Sequence, residues 1–345
     1  MKALFDHPLP FSLTHGGFQI QIEQTRQSLL DNSVEVEFMQ WWNPSQQGDI
    51  VHYFGRPTAE YIQLAHSRGF KVVVEELLTA TGSRSRQELA VQRLFIRTMS
   101  TILPGALTNR MAWGAYDVAD ACIANTSWEA HLMNYLFRAD KSRIHVVPNG
   151  VEEVFLSSPA RERGQWLVCA ATITERKRVL ELAQGAVQAQ TPIWFIGRPY
   201  SESDPYALRF FALAKAHPQV IRYEGPIGER ASLAAFYRAA RGFVLLSTME
   251  TRSLAAEEAA ACRCPLLLSD LPWARATYGD SASYCPVTKL ASQIAAALRS
   301  FYEAAPSLSP PPTPASWVQV GGQFKKVYTQ VLNAVPRASS GRLTH

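Results

Sequence analysis

The chain has 345 residues, 47% of them hydrophobic and 18% charged, with a formal net charge of +5. That is enough length and apolar content for two domains with separate cores, and it excludes a structureless chain. No apolar run approaches the ~18 residues of a membrane-spanning helix, and the opening Met-Lys-Ala-Leu-Phe-Asp-His-Pro lacks a signal peptide's apolar core and cleavage site, so a cytoplasmic protein is expected.

Lys2 to Phe5 reads as a first strand, and Thr14-His15-Gly16-Gly17 follows as a glycine loop opening a helix. Gly16 and Gly17 let a backbone approach a ligand, and the helix start behind them attracts an anion such as a diphosphate; a plain tight turn explains the pair as well. The loop does not match Gly-x-Gly-x-x-Gly, which speaks against a nicotinamide enzyme. Val34 to Met39, Ile50 to Phe54 and Val72 to Val74 are the next strands.

Between residues 84 and 103, Arg84, Arg86, Arg93 and Arg97 interleave with Leu89, Val91, Leu94, Phe95, Met99, Ile102 and Leu103. The spacing puts Arg86, Arg93 and Arg97 along one face of a helix, either a solvated face on an ordinary core helix or a basic surface. No aromatic-studded basic strand set or zinc-finger spacing points to nucleic acid. Asp117 to Ser127 reads as a helix end, a strand and then a polar loop, and Arg143 to Val151 as a strand and then a turn, in which Pro148 fixes φ while Asn149 and Gly150 tolerate positive φ.

The second half again alternates strands and helices. Trp166 to Ala171 is a strand, and Glu175-Arg176-Lys177-Arg178 leads into the helix Val179 to Gln188. Three consecutive cations at a helix N-terminus oppose the macrodipole, so they need an anion between them and the helix. Ile193 to Ile196 ends in Gly197-Arg198-Pro199, and Val220 to Gly225 precedes a helix at Leu233 to Ala239.

Phe243 to Asp270 forms a β-α-β unit in miniature: strand Phe243 to Leu246, alanine-rich helix Leu254 to Cys262, strand Leu266 to Leu268. Glu250 lies on the loop at the strand's carboxyl end and Glu258, eight positions on, in the helix, at the edge where open α/β sheets bind ligands. A macrodipole role suffices for Glu257, and Ser253 suits the helix cap. Ser316 to Val331 is a final helix beyond the proline-rich Pro310 to Pro314. The five cysteines fall mostly in apolar segments, as buried thiols of a reducing compartment do, and Cys262-x-Cys264 has no second pair, so no metal site is read from them.

Glu250 and Glu258 resemble the Glu-x7-Glu signature of retaining glycosyltransferases of the GT-B fold, family 4. Asp49-Ile50-Val51-His52 resembles that family's Asp-hydrophobic-hydrophobic-His strand, and Val146 to Val151 with Phe155 resembles its Val-x-Pro-Asn-Gly-Val…Phe passage into the second domain. The resemblance implies an α/β protein of two doubly wound, parallel-sheet, Rossmann-like domains facing across a cleft. An acceptor-side domain would span 1–158, braced by the helix 316–331, and a nucleotide-sugar domain 159–315. It further implies that Glu258 holds ribose hydroxyls, that Glu250 faces the donor sugar with Ser253 and Leu254 beside it, that Lys177 meets the diphosphate, and that Gly16, Gly17 and Gly197 approach the nucleotide. A second cation on the diphosphate would be Arg176 or Arg178, since Thr172 occupies the usual arginine position.

Three further departures qualify the resemblance. Glu75 and Glu76 follow the strand where many relatives carry a histidine, so Glu76 is either an acceptor-orienting or proton-accepting group or part of a solvated strand end. Arg252-Ser253 replaces the commoner Phe-Gly and should reshape the donor-sugar pocket. Arg263 replaces a helix-ending glycine. The expected activity is transfer of a sugar from a nucleotide donor to a hydroxyl acceptor on a glycan or lipid, with catalytic Glu250, Lys177 and Glu76, no metal and no cofactor. The basic helix implies peripheral contact with an anionic membrane. The rivals are a GT-B sugar-nucleotide epimerase and a non-catalytic binding or scaffold protein.

Overall fold

The computed structural model describes residues 1–8, 10–11, 17–157, 162–287 and 290–334. Gly16 and the expected domain boundary at residue 158 lie outside the described residues.

Two six-stranded sheets, parallel throughout, organise the chain. The first contains β1 (Lys2–Asp6), β2 (Glu35–Phe38), β3 (Ile50–Phe54), β4 (Lys71–Glu75), β5 (Ala121–Ala124) and β6 (Ile144–Val146) in the order β2-β1-β3-β4-β5-β6. The second contains β7 (Leu167–Ala170), β8 (Ile193–Ile196), β9 (Ile221–Gly225), β10 (Gly242–Leu245), β11 (Leu266–Ser269) and β12 (Ser283–Cys285) in the order β12-β11-β10-β7-β8-β9. Helices cover both faces, so central strands such as Ala-Cys-Ile-Ala and Leu-Leu-Leu-Ser are buried on both sides and read as continuous apolar runs. The strand order reverses between β7 and β10, which opens a crevice at their carboxyl ends.

Alternate residues of each strand feed different cores. In the first sheet Phe5, Ile50 and Phe54 pack with Val320, Phe324 and Tyr328 of the last helix, Trp317–Asn333. Val51, Val72 and Val74 pack on the other face with Leu132, Met133 and Leu136. The last helix thus returns from the second sheet to the first, and Val151 and Ser316 form a parallel bridge where the two connecting segments cross.

The turn Pro148-Asn149-Gly150 differs from expectation, because neither Asn149 nor Gly150 has a positive φ. Gly150 answers to close approach instead: a Cβ there would lie 2.7 Å from the Trp317 backbone nitrogen. Arg263 does adopt the left-handed conformation, with φ 56°. All five cysteines are buried thiols.

The helix Arg86–Ile102 opens with a capping box between Ser85 and Glu88 but is not turned as a simple solvated basic face. Val91 and Leu94 are each 68% exposed, and Phe95 and Ile102 are also exposed, while Leu89 and Ile96 point inward. Arg93 and Arg97 are half-buried, the Arg93 guanidinium stacking 4.3 Å from the Tyr135 ring centroid. Among the described residues no helix is long and apolar enough to cross a membrane.

Candidate active site

One large cleft runs between the domains at the carboxyl ends of both sheets. Its walls include Gly17 and Gln21 from the first domain and Lys177, Gly197, Glu250 and Glu258 from the second.

The β7 carboxyl end continues through Ala171 and Thr172 into a short 3-10 turn, Glu175–Lys177. Thr174 caps this turn, and Arg178 then takes a left-handed conformation that starts the helix Val179–Ala189. The turn separates three neighbouring cations. Lys177 Nζ donates to Glu250 Oε1, and Arg176 donates to the same oxygen at 3.1 Å and to the Met249 carbonyl at 2.9 Å. Arg178 is buried and is not among the cleft-lining residues. Between the two arginines that sequence left open, Arg176 is therefore the one at the cleft, and placing Arg178 among the donor-binding residues is corrected. The left-handed turn sends its side chain into the domain.

Glu250 sits on the loop after β10. Its backbone N–H donates to Ser83 Oγ of the first domain at 3.3 Å, and the neighbouring Thr251 hydroxyl lies 2.6 Å from that of Thr79. The helix Leu254–Ala261 starts with Ser253, whose Oγ accepts from the Ala256 N–H. Ser253 and Leu254 both line the cleft.

One turn into that helix, Glu258 receives Arg230 on Oε1 and the Tyr237 hydroxyl on Oε2 at 3.2 Å. Burial pushes the Glu258 carboxyl above the usual carboxylate range, while Arg230 and Tyr237 pull it back. Glu257, the adjacent acid, turns away into an ion pair with Arg252 (3.1 Å) and accepts from the Tyr278 hydroxyl at 2.7 Å. Its role exceeds the helix-dipole one that the sequence suggested. Arg252 also donates to the Asn125 carbonyl at 3.2 Å, tying the domains together.

The acidic pair after β4 is not a solvated strand end. Glu75 is buried, accepts from Gln21 Nε2 and lies 3.1 Å from His52 Nε2. Glu76 is gripped by Arg56 through Nε at 2.7 Å and a second nitrogen at 2.9 Å, with the Tyr116 hydroxyl on the same carboxylate. Glu76 is not among the cleft-lining residues. With its oxygens held by Arg56 and Tyr116, Glu76 is not brought to the cleft where a catalytic role for it was expected.

The structure therefore brings Gly17, Arg176, Lys177, Gly197, Glu250, Ser253, Leu254 and Glu258 to one cleft. Arg230 and Tyr237 were missed, because their contacts join residues 21 and 28 positions apart in sequence. One signal was available for Arg230: it is a cation at the first position of the helix Arg230–Ala239, where the macrodipole disfavours it. Among the described residues no three His, Cys, Asp or Glu side chains group as metal ligands would.

No protein-family model matches the chain. It is 30% identical over 175 residues to D-inositol 3-phosphate glycosyltransferase 1 of Catenulispora acidiphila, covering 43% of this chain and 40% of that protein. It is 28% identical over 174 residues to the D-inositol 3-phosphate glycosyltransferase of Jonesia denitrificans, covering 44% and 41%. These matches span less than half the length of the curated relatives. In three dimensions the chain is similar to sucrose-phosphate synthase from Thermosynechococcus elongatus, with TM-score 0.64, 17% identity and coverage of 97% of this chain and 99% of that one. It is also similar to Anabaena HepE solved with UDP and glucose, with TM-score 0.63, 12% identity and coverage of 95% and 99%. Two parallel-sheet Rossmann-like domains facing a cleft make this a GT-B fold.

Proposed function

We propose that the protein is a retaining, metal-independent glycosyltransferase related to family 4, moving a sugar from a nucleotide donor to a hydroxyl acceptor. The carrying observation is the convergence of Glu250 and Glu258 with the Arg176–Lys177 cation pair on one cleft at the strand-order reversal. The curated relatives' names and the UDP bound to HepE support the same reading. In this proposal residues 1–158 form the acceptor side and 159–315 the donor side.

The charges suggest the roles. Arg176 and Lys177 carry two positive charges against the single carboxylate of Glu250, so a diphosphate can displace that carboxylate and be better neutralised than it was. Freed from Lys177, Glu250 can accept hydrogen bonds from sugar hydroxyls. Glu258 does the same for the ribose, a carboxylate being matched to a vicinal diol. Gly17 begins a helix whose first residues line the cleft, and the free N–H groups of a helix N-terminus favour an anion there.

The sugar C1–O bond to phosphate breaks as the acceptor oxygen bonds to C1 on the same face. The acceptor proton passes to a donor phosphate oxygen, so no protein base is required. Preorganised cations at the leaving group contribute most where charge develops.

The acceptor is proposed to be a glycan or a lipid-linked hydroxyl at an anionic membrane in the cytoplasm. The specific observation is the exposed Val91, Leu94, Phe95 and Ile102 beside exposed Arg84, Arg86 and Arg110. Sedimentation with phosphatidylglycerol vesicles should exceed that with phosphatidylcholine, and equal sedimentation would reject the membrane part alone.

The main test is calorimetry and thermal shift with UDP-, GDP-, ADP- and TDP-sugars in EDTA. A donor at about 100 times its Kd should add ~2.7 kcal/mol to stability. Glu258→Ala should abolish the effect. If no sugar nucleotide binds, the non-catalytic rival replaces the proposal, and turnover of donor without acceptor would indicate the epimerase. The anomeric configuration of the product, read by NMR, tests retention.

A further inference from the structure

Arg230 opens the helix Arg230–Ala239, where a cation opposes the helix dipole, so helix formation does not explain it. Its planar guanidinium is held on three sides. Nε donates to Glu152 Oε1 at 2.8 Å, a second nitrogen donates to Glu258 Oε1, and the face lies 4.8 Å from the Phe155 ring centroid. Glu152 and Phe155 follow the turn that joins the domains, whereas Glu258 belongs to the helix after β10, so one side chain ties three segments at the cleft wall.

The groups facing Glu258 are Arg230 and Tyr237 from one helix, Glu152 from the connecting segment, and the Cys262 thiol one turn on. Only Arg230 among them is a cation. Without it, the buried Glu258 would face the half-exposed carboxylate of Glu152 with no counter-charge, and its own burial and that repulsion would both favour a protonated Glu258. A neutral carboxyl has lost acceptor capacity for a diol.

We propose that Arg230 is a positioning residue of the nucleotide site: it keeps Glu258 ionised and fixes the rotamer in which Glu258 meets the ribose. This rests on the assignment of Glu258 to the ribose. The fork geometry also makes lysine a partial substitute, since an ammonium supplies the charge but not two fixed, coplanar donors.

The test is the affinity for UDP, GDP, ADP and TDP, measured by calorimetry between about pH 6 and about pH 9, for the wild type, Arg230→Met, Arg230→Lys, Glu258→Gln and the double variant Arg230→Met/Glu258→Gln. For the nucleotide that binds, wild-type affinity should vary little over this range. Arg230→Met should bind about tenfold or more weakly near neutral pH and regain most of the loss at the alkaline end, as expected for a carboxyl whose ionisation has moved into that window. Arg230→Lys should be partly restored at neutral pH. Glu258→Gln should be weak at every pH, and adding Arg230→Met to it should introduce no new pH dependence. An Arg230→Met loss that is the same at every pH overturns the proposal in favour of packing or direct ligand contact, and so does wild-type affinity in that variant. Tight binding by Glu258→Gln overturns the ribose assignment itself, and absence of binding by the wild type overturns both. Far-ultraviolet circular dichroism and the urea midpoint of each variant separate loss of fold from loss of binding.

Discussion

The Thr79 and Thr251 hydroxyls lie 2.6 Å apart, one from each domain, on the wall of the cleft. Next to them Glu250 N–H donates to Ser83 Oγ, so the loop carrying Glu250 is anchored to the opposite domain. The position of that carboxylate therefore depends on how the domains meet. Thr251→Val removes one cross-cleft hydrogen bond, worth about 1 kcal/mol, and should shift the free protein toward a more open arrangement. X-ray scattering would then give a larger radius of gyration than for the wild type, and an unchanged value would mean that this pair does not govern closure.

Lys177 should matter more to turnover than to fold. It pairs with Glu250 in the ligand-free protein, and the proposed mechanism transfers it to the leaving diphosphate. Lys177→Ala should lower kcat by about 10²–10³-fold, the usual loss of one donor aimed at developing charge, with a small change in thermal midpoint. Steady-state kinetics with the donor found by the binding screen provides the check. An unaltered kcat would remove Lys177 from the chemistry.

Arg252 replaces an apolar residue of the resembled family and has a structural reason in this chain. It neutralises Glu257, which is buried, and reaches the Asn125 carbonyl of the other domain. Arg252→Ala leaves that carboxylate without its counter-charge, at a cost of about 3 kcal/mol. Arg252→Ala/Glu257→Gln should recover much of the loss. Urea denaturation of the four proteins of this double-mutant cycle gives the coupling directly.

Glu129 controls part of the pH dependence of stability. Its oxygens accept the N–H groups of Leu78 (2.8 Å) and Asn125 (2.9 Å), yet burial pushes its carboxyl up to about 8. An unfolded glutamate titrates near 4.3. Across that window the native state retains a proton that the unfolded state has released, so the contribution is present at low pH and is lost as pH rises toward 8. Urea midpoints should fall between about pH 5 and about pH 8, and the decline should be shallower in Glu129→Gln. An equal slope in the variant would show that Glu129 does not set the dependence.

The last helix packs against Gly17–Asp31 with no room to spare. A Cβ on Gly321 would lie 2.2 Å from the Ser28 carbonyl oxygen. Gly321→Ala should therefore separate the two helices and cost about 1–3 kcal/mol, the range for overpacking a tight core. Thermal denaturation measures it. Gly322→Ala, whose Cβ would meet its nearest neighbour at 3.5 Å, serves as the neighbouring control.

The sequence by itself determined the elements and their order. Double burial makes parallel strands apolar throughout, and helices between them are marked by caps such as Ser253, so the two β-α alternating halves, the loop positions of Lys177 and Glu250 and the helical position of Glu258 follow from local pattern. Which side chains of those loops share a cleft was decided only by the tertiary structure. Arg176 and Arg178 are two residues apart and chemically identical, and a left-handed backbone at Arg178 sends only one of them to the site. Glu76 looked available on a strand end until Arg56 and Tyr116, from 20 and 40 positions away, closed over it. Arg230 escaped notice for the converse reason, since its partners Glu152 and Glu258 are brought together only by the packing of the connecting segment near the helix Leu254–Ala261. Local periodicity reports which face of an element is buried. It carries no information on which distant charge will meet another, because ion pairs form across elements whose relative placement is set by the core.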